Sequence, residues 1–486
     1  MTMSDIAFLS GLQLAARLQQ RDFSALELLD HYLERIERYN PALNAVIELD
    51  VERARTRARA ADSALARGEH WGPLHGVPMT IKESFDVAGL HTTRGNPEFK
   101  DHIAAQDALS VTRLKKAGVN LFGKTNVPLD LADFQSYNAI YGTTNNPWSV
   151  GATPGGSSGG SAVAMAAGLS GVENGSDIGG SIRNPAHYCG VFGHKPSWGL
   201  LPPRGHAAPG VLAQSDLAVI GPLARSAADL ETLLLAQAGP DEIMSAGYRL
   251  DLPCPTFKGL GDLRVAAMVN HERAPVSKAC EARVEAVLDI IRSAGGQINY
   301  DARPDFDLAR AHEVYETLLW SVMASRSSDE AYQALKDEVS RLAPEDASKR
   351  AQNLRARVAS YRDYSAANEA RTHYRWAWHQ FFKDYDVLVT PLMATPAFPH
   401  DHRPFGQRTV DVDGSERPYF EQLFWAGLAI NSYLPATVVP TGALGDGLPI
   451  GVQLIGPELG DLKVLGVAKL LEEAGLHFTR PPGYTD

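Results

Sequence analysis

The chain has 486 residues, of which 44% are hydrophobic and 21% are charged, so it can bury a sizeable core and does not have the composition of a disordered protein. The formal net charge of -11 argues against a nucleic-acid partner, because a phosphate backbone is bound by a clustered surplus of Lys and Arg. Three cysteines, Cys189, Cys254 and Cys280, are too few and too scattered for a disulfide framework or a zinc site with paired spacing. We expect neither a metal nor another cofactor.

The N-terminal residues 1–20 lack the basic start, unbroken apolar stretch and small-residue cleavage site of a secretion signal. No apolar run in the sequence is long enough to cross a bilayer. We therefore expect a cytoplasmic protein without a membrane partner, and we leave a homodimer open as its oligomeric state.

The predicted elements begin with helices and then change to an alternation of strands and helices. A capping box at Ser24 and Glu27 precedes an amphipathic helix, and a second helix is predicted over residues 51–67. The apolar face of the first helix consists of Leu26, Leu29, Leu33 and Ile36. Short apolar runs at 79–81 and 119–122 then alternate with helical segments, which is typical of an α/β sandwich.

The rest of the chain continues this pattern without a repeat or a linker. Residues 145–210 are rich in Gly, Ser, Pro and Asn around one helical segment at 160–169, so the backbone can approach a ligand closely there. Residues 227–384 are predicted to be mostly polar helix that covers the core. Strands are predicted at 386–390, 436–440 and 451–455, followed by an amphipathic helix at 461–474.

Residues 118–125 match the spacing of a phosphate-binding P-loop. A P-loop needs small, flexible residues whose N–H groups curl round a phosphate, and a helix that begins directly after its Lys. Here the intervening residues are Val, Asn, Leu and Phe, and Pro128 follows soon after the motif. We interpret the segment as a strand that ends in a turn.

Residues 155–159 match the G-x-S-x-G nucleophile elbow of α/β-hydrolases, with Ser157 as the nucleophile. That motif needs a strand before the serine and an acid and a histidine later in the chain. The preceding residues form a loop that contains Pro154, although three histidines follow downstream, at His187, His194 and His206. An esterase that uses Ser157 stays open as an alternative.

A third set of motifs extends over nearly the whole chain. Its members are residues 155–161 (GGSSGGS), 175–183 (GSDIGGSIR), 189–196 (CGVFGHKP), 76–83 (GVPMTIKE), 123–126 (GKTN), 386–391 (DVLVTP) and 447–453 (GLPIGVQ). In content and order these segments resemble the amidase signature family. The resemblance implies an enzyme that hydrolyses a carboxylic amide to an acid and an amine or ammonia.

The resemblance also implies the fold. We expect an α/β/α sandwich around one large twisted mixed β-sheet, formed as a single domain over residues 1–486. Its predicted parts are an N-terminal helical part at about 1–70, a signature core at 71–220, a helical covering region at 227–384, and closing strands with a C-terminal helix at 385–486.

The catalytic roles that the resemblance implies fall on three residues. Ser181 is the nucleophile that forms the acyl-enzyme, Ser157 is a bridging serine that follows a cis peptide bond at Gly156, and Lys82 is the base. Ser157 and Ser181 are 24 residues apart, as expected for the family. The implied oxyanion hole consists of the backbone N–H groups of Ile178, Gly179, Gly180 and Ser181.

These residue types suit amide hydrolysis. A serine hydroxyl must lose its proton to a base as it attacks, and a lysine is such a base only when burial or a nearby cation lowers its pKa. Lys82 follows an apolar run at 77–81, so burial is plausible. The leaving amine of an amide must be protonated, which Ser157 can do by returning a proton from Lys82.

Each residue also has a structural interpretation. Ser157 or Ser158 could cap the helix that is predicted to begin near residue 160, Ser181 and Arg183 could form a turn with an ion pair, and Lys82 could be a surface lysine. Cys189 is expected to be a small core residue, and His187 and His194 are expected to be hydrogen-bonded polar groups rather than catalysts. Four aromatic residues could line a substrate pocket or pack in the core, namely Trp198, Trp320, Trp425 and Tyr433.

Two other functions stay open besides a stand-alone amidase acting on a small-molecule amide. The chain could be the glutamine-hydrolysing amidase subunit of a tRNA-dependent amidotransferase, or a non-catalytic binding protein on the same scaffold. The sequence does not identify the substrate: aryl amides, short aliphatic amides, carbamates and esters are all compatible with the motifs.

Overall fold

The computed structural model describes residues 3–443 and 447–484. The predicted single domain also includes residues 1–2, 444–446 and 485–486, which lie outside the described residues. The helices are α1 (Met3–Ile6), α2 (Gly11–Gln20), α3 (Ala25–Leu43), α4 (Val51–Ala66), α5 (Leu109–Lys116), α6 (Gly159–Ala166), α7 (Arg183–Cys189), α8 (Ala227–Gln237), α9 (Lys278–Ser293), α10 (Leu308–Ala324), α11 (Asp329–Ser340), α12 (Lys349–Arg357), α13 (Tyr361–Asp384), α14 (Leu423–Ile430) and α15 (Asp461–Glu473). The strands are β1 (Val46–Leu49), β2 (Pro78–Lys82), β3 (Asn120–Thr125), β4 (Tyr137–Asn138), β5 (Gly142–Thr143), β6 (Glu173–Asp177), β7 (Phe192–Lys195), β8 (Val219–Ala224), β9 (Arg264–Ala267), β10 (Gln297–Asn299), β11 (Val387–Thr390), β12 (Thr409–Val412), β13 (Ser415–Pro418), β14 (Ala436–Ala443) and β15 (Pro449–Ile455).

The main sheet has eight strands in the order β10-β9-β11-β15-β14-β7-β8-β6. β9 pairs in parallel with β10 and β11, whereas the other neighbours are antiparallel. α8 and α15 pack against each other and against the sheet, and α7 packs on β14 and β15. The predicted α/β class and the large mixed sheet are therefore confirmed.

One detail differs from the prediction of a single sheet. β2 and β3 form a second sheet with β1, in the order β1-β3-β2, and a single bridge between Met79 and Val172 joins this sheet to the β6 side of the main sheet. The ladder does not continue, because the Thr80 N–H donates to the Ser170 hydroxyl at 2.9 Å instead of to a strand carbonyl. This junction places the end of β2 beside β6.

The local predictions hold for the N-terminal helices and for the rejected P-loop, whereas the region 227–384, predicted as mostly helix, also contains β9 and β10 of the main sheet. Both halves of the capping box form between Ser24 and Glu27 at the start of α3. The P-loop-like segment is the fully buried strand β3, preceded by Gly118 at φ 107°, which agrees with its interpretation as a strand. Among residues 3–443 and 447–484, no helix combines the length and the apolar character that a membrane span requires.

Candidate active site

Lys82 is the last residue of β2, and its side chain is fully buried. Its Nζ donates hydrogen bonds to the hydroxyl of Ser157 at 2.7 Å and to those of Ser158 and Ser176, both at 2.9 Å. A hydroxyl can donate as well as accept, so these serines can also solvate a neutral amine that accepts one hydrogen bond. The interpretation of Lys82 as a surface lysine is wrong.

The environment of Lys82 favours the neutral amine. Burial lowers the pKa of Lys82 well below its usual range, and the nearby Arg94 guanidinium acts in the same direction, while the carboxylate of Asp177 opposes both. A lysine needs such a lowered pKa to act as a general base near neutral pH. The site therefore has the electrostatics that a lysine base requires.

Ser157 lies in a tightly packed loop between β5 and α6. Its peptide bond with Gly156 is cis, as the resemblance implies, and a Cβ on Gly156 would lie 2.5 Å from the carbonyl oxygen of Asp133. The Ser158 N–H donates to the Ser181 carbonyl at 3.1 Å, which ties this loop to the segment that carries the predicted nucleophile. Ser158 stands at the cap position of α6, but its side chain makes no capping hydrogen bond. Its hydroxyl contacts Lys82 instead.

Ser181 lies in the short turn between β6 and α7. Ser157, Ser176 and Ser181 line one cavity of about 400 Å³. Of the four predicted oxyanion donors, the N–H of Gly180 already donates to Asp177 Oδ1 at 2.8 Å. We therefore expect Ile178, Gly179 and Ser181 to supply the N–H groups for an oxyanion.

A buried ion pair holds this turn. Arg183 and Asp177 are both fully buried and pair at 3.0 Å, and Asp177 also accepts the N–H groups of Gly180 and Ile182. Although burial alone would raise the pKa of Asp177, the Arg183 guanidinium holds it below its ordinary value. The sequence motifs did not single out Asp177 and Ser176 as site residues, even though both lie inside the 175–183 motif.

Two cavities meet at Ser181. The larger one extends from Ser157 and Ser181 to residues 203–219 and to the α10–α11 junction. The smaller one, of about 50 Å³, is lined mainly by apolar side chains, among them Phe134, Trp320 and Leu423. Of the four aromatic residues considered above, Trp320 lines this cavity, whereas Trp425 is buried and donates to the Ala274 carbonyl, and Trp198 stacks on Tyr433.

The other candidate residues occupy structural positions. His187 contacts the carbonyl oxygens of Gly451 and Thr395, and burial lowers its pKa to about 4. His194 contacts Thr437 and Asp461, and burial raises the pKa of the Cys189 thiol. The segment before Ser157 is a loop rather than a strand, so the context of a nucleophile elbow is absent there.

Comparisons with known proteins extend over most of the chain. A family model described as Amidase matches residues 27–465. The chain is 33% identical to a glutamyl-tRNA(Gln) amidotransferase subunit of Synechococcus sp. (strain CC9605), over 96% of each chain. It is 34% identical to the indoleacetamide hydrolase of Bradyrhizobium diazoefficiens, over 96% of this chain and 87% of the relative.

The fold of the chain is also similar to that of a solved structure. The crystal structure of a bacterial aryl acylamidase belonging to the amidase signature enzymes superimposes with a TM-score of 0.81 at 24% identity, covering 99% of this chain and 98% of that chain. With the family model matched over most of the sequence, the chain belongs to the amidase signature family of amide-hydrolysing enzymes.

Proposed function

We propose that this enzyme is a stand-alone amidase that hydrolyses a small carboxylic amide through an acyl-enzyme on Ser181, with Ser157 as proton relay and Lys82 as base. The observation that carries the proposal is the 2.7 Å contact between the buried amine of Lys82 and the hydroxyl of Ser157. Burial lowers the pKa of this amine, so it can accept a proton at moderate pH.

In the first half of the reaction, Ser181 Oγ attacks the carbonyl carbon of the amide. Its proton moves to Ser157 Oγ, and the proton of Ser157 moves to the neutral amine of Lys82. The N–H groups of Ile178, Gly179 and Ser181 meet the developing oxyanion, and each such donor stabilises the transition state by about 3 kcal/mol.

In the second half, the C–N bond breaks as Lys82 returns its proton through Ser157 to the leaving nitrogen. This protonation is needed because an unprotonated amine is a poor leaving group. Water then attacks the ester on Ser181 and gives its proton to the same relay, which returns it to Ser181 Oγ as the bond between this oxygen and the acyl carbon breaks, and the carboxylic acid is released. The cycle ends with Lys82 neutral and both hydroxyls restored.

A second candidate is the glutamine-hydrolysing amidase subunit of a tRNA-dependent amidotransferase. The 33% identity to a glutamyl-tRNA(Gln) amidotransferase subunit favours it. The apolar side chains around the smaller cavity favour the stand-alone amidase, because a pocket lined by Phe134, Trp320 and Leu423 suits an aryl or alkyl group better than the polar side chain of glutamine.

A fluorophosphonate probe followed by peptide mapping tests the proposal. We expect the probe on Ser181, no labelling of Ser181→Ala, and slower labelling of Ser157→Ala, with Ser245→Ala, an exposed serine, as the control. Labelling of Ser157 would favour the esterase alternative. Glutaminase activity that appears only with partner subunits would favour the amidotransferase.

A further inference from the structure

The larger cavity contains a cation that the proposed mechanism does not use for proton transfer. Arg94 follows β2 in a loop, and its side chain lines the same cavity as Ser157 and Ser181. Arg326, an exposed residue just after α10, lines the outer part of this cavity. Both arginines therefore face the space that a substrate enters.

Arg94, which is half-buried, differs from three buried arginines of the chain in its lack of a partner. Arg183, Arg371 and Arg408 each pair with a carboxylate, at distances of 3.0, 2.8 and 2.6 Å. Within the part of the chain that the structure describes, the Arg94 guanidinium has no hydrogen-bond or ion-pair partner. Because a largely desolvated guanidinium is unfavourable without an acceptor, its five N–H donors are available to an anionic ligand.

The carboxylates nearby are engaged with other groups. The Glu83 carboxylate accepts the backbone N–H of Arg94 at 2.8 Å, together with that of Thr93. Asp130, on the same cavity wall, accepts from the side-chain amide of Asn96 at 3.2 and 3.3 Å. Neither carboxylate is within ion-pair distance of the guanidinium, so its N–H donors stay available to an acceptor that enters the cavity.

The backbone of this wall is also unusual. Arg94 and Asp130 have φ values of 57° and 49°, and the Asp130 N–H donates to the Arg94 carbonyl at 2.8 Å. Leu131, which lines both cavities, has φ 62°. Non-glycine residues adopt this left-handed conformation rarely, and such residues cluster at ligand sites where the surrounding structure holds a side chain in a required direction.

The two cavities define the two sides of the substrate. Ser157 lines the larger cavity and is absent from the lining of the smaller one, while Ser181 lines both. Since Ser157 gives its proton to the leaving nitrogen, the leaving amine lies in the larger cavity with Arg94. The acyl group then lies in the smaller, apolar cavity.

We infer that the substrate is an amide with an apolar acyl group and a carboxylate on its amine, that is, an N-acyl amino carboxylic acid whose carboxylate binds Arg94. This inference rests on the proposed function for the assignment of the leaving side. Guanidinium and carboxylate form paired charge-assisted hydrogen bonds, which orient the ligand as well as hold it. Arg326 attracts the same carboxylate at the cavity entrance.

The test compares N-benzoylglycine with the neutral N-(2-hydroxyethyl)benzamide, which differs mainly in the carboxylate, and measures benzoate release. We expect a higher kcat/KM for N-benzoylglycine in the wild type. Arg94→Gln lowers kcat/KM for N-benzoylglycine about 30-fold more than for the neutral amide, because charged hydrogen bonds are lost. Asp130→Asn raises the ratio of kcat/KM for N-benzoylglycine to kcat/KM for the neutral amide, because it removes a negative charge near the carboxylate of the substrate.

The control is Arg362→Gln, an exposed arginine on α13 that leaves the ratio unchanged. Equal losses for both amides in Arg94→Gln would mean a structural role and would overturn the inference, as would hydrolysis of the neutral amide but not of N-benzoylglycine. Ser181→Ala separates the two proposals: if benzoate release persists in this variant, the proposed function fails, whatever the ratio shows.

Discussion

The floor and the cover of the larger cavity are built differently. We define the floor as β2, residues 155–158 and residues 176–183, and the cover as residues 203–219 with the α10–α11 junction. The charged groups of the floor, Lys82, Asp177 and Arg183, are fully buried, and each is hydrogen-bonded within the floor. The cover contributes loop and helix-end residues, among them Leu212, which is 79% exposed.

This difference separates the reaction from the choice of substrate. A preorganised, desolvated floor can stabilise a transition state without rearranging, whereas exposed loop residues of the cover can vary without disturbing the chemistry. We therefore expect substitutions in the floor to remove activity or stability, and substitutions in the cover to change which amide is used.

The largest expected effect comes from Lys82→Met. This substitution removes the base but keeps the length of the side chain, so kcat/KM for a neutral amide falls at least about 10³-fold, and the melting temperature falls as well, because three hydroxyl acceptors lose their donor. Steady-state kinetics and thermal unfolding check both statements.

Lys124 provides a matched control for Lys82. It is also fully buried, lies opposite Ile81 on β3, and its amine donates to the His91 carbonyl and the Thr92 hydroxyl. Lys124→Met lowers the melting temperature, because two acceptors lose their donor, but folded enzyme retains most of its kcat/KM. Equal losses of activity in the two variants would remove the distinction between a catalytic and a structural lysine.

Asp177→Asn is expected to have the next largest effect. It leaves Arg183 buried without its counter-charge and weakens the bonds that hold the 178–181 turn, so the free energy of unfolding falls by about 3–5 kcal/mol and kcat falls with it. The comparison is Glu313→Gln on α10, which removes an exposed ion pair with Arg310 and costs about 1 kcal/mol or less. Urea unfolding measures both, and similar losses would contradict the contrast between a buried and an exposed ion pair.

The sequence predicted the floor better than the substrate cavities for a physical reason. The groups that position Ser181 and Ser157 lie within short stretches of chain. The residue spacing within the 155–161 and 175–183 motifs is therefore enough to predict which groups lie together. Lys82 was found through its own motif. By contrast, the substrate cavities are formed by residues far apart in sequence, such as Phe134, Trp320 and Leu423, and no local pattern records that they meet.

The smaller differences between the predicted and the observed structure also arise from contacts that no local sequence pattern shows. The second sheet separates from the main sheet where the Thr80 N–H donates to the Ser170 hydroxyl, a contact that hydrophobic periodicity does not show. The sequence already suggested that Arg183 forms an ion pair within its turn. The hydrogen bond from the Gly180 N–H to the Asp177 carboxylate, however, depends on the three-dimensional packing of the buried turn. The strands and helices that were predicted follow hydrophobic period and capping, and their bounds differ by a few residues, whereas β9 and β10 lie in the region predicted as mostly helix.

Trp320→Ala tests the smaller cavity, which adjoins the floor at Ser181. Removal of the indole enlarges the acyl cavity, so the preference between a bulky and a small acyl group, measured as a ratio of kcat/KM values, shifts about 10-fold toward the bulky group. Trp376→Ala is the control, because Trp376 is 64% exposed on α13 and lines neither cavity. An unchanged ratio in Trp320→Ala would mean that the acyl group does not occupy the smaller cavity.

The smallest effect we expect is a displacement of the pH profile, and its sign depends on which charge is removed. Since the neutral amine of Lys82 is the active form, kcat/KM for a neutral amide rises with pH through the pKa of Lys82, which burial holds below the ordinary value of about 10.4. The carboxylate of Asp177 stabilises the ammonium form, so Asp177→Asn lowers the pKa of Lys82 and moves the rise to lower pH. The Arg94 guanidinium destabilises the ammonium form, so Arg94→Gln moves the rise to higher pH. Profiles that shift in the same direction in both variants would show that a group other than Lys82 controls the reaction.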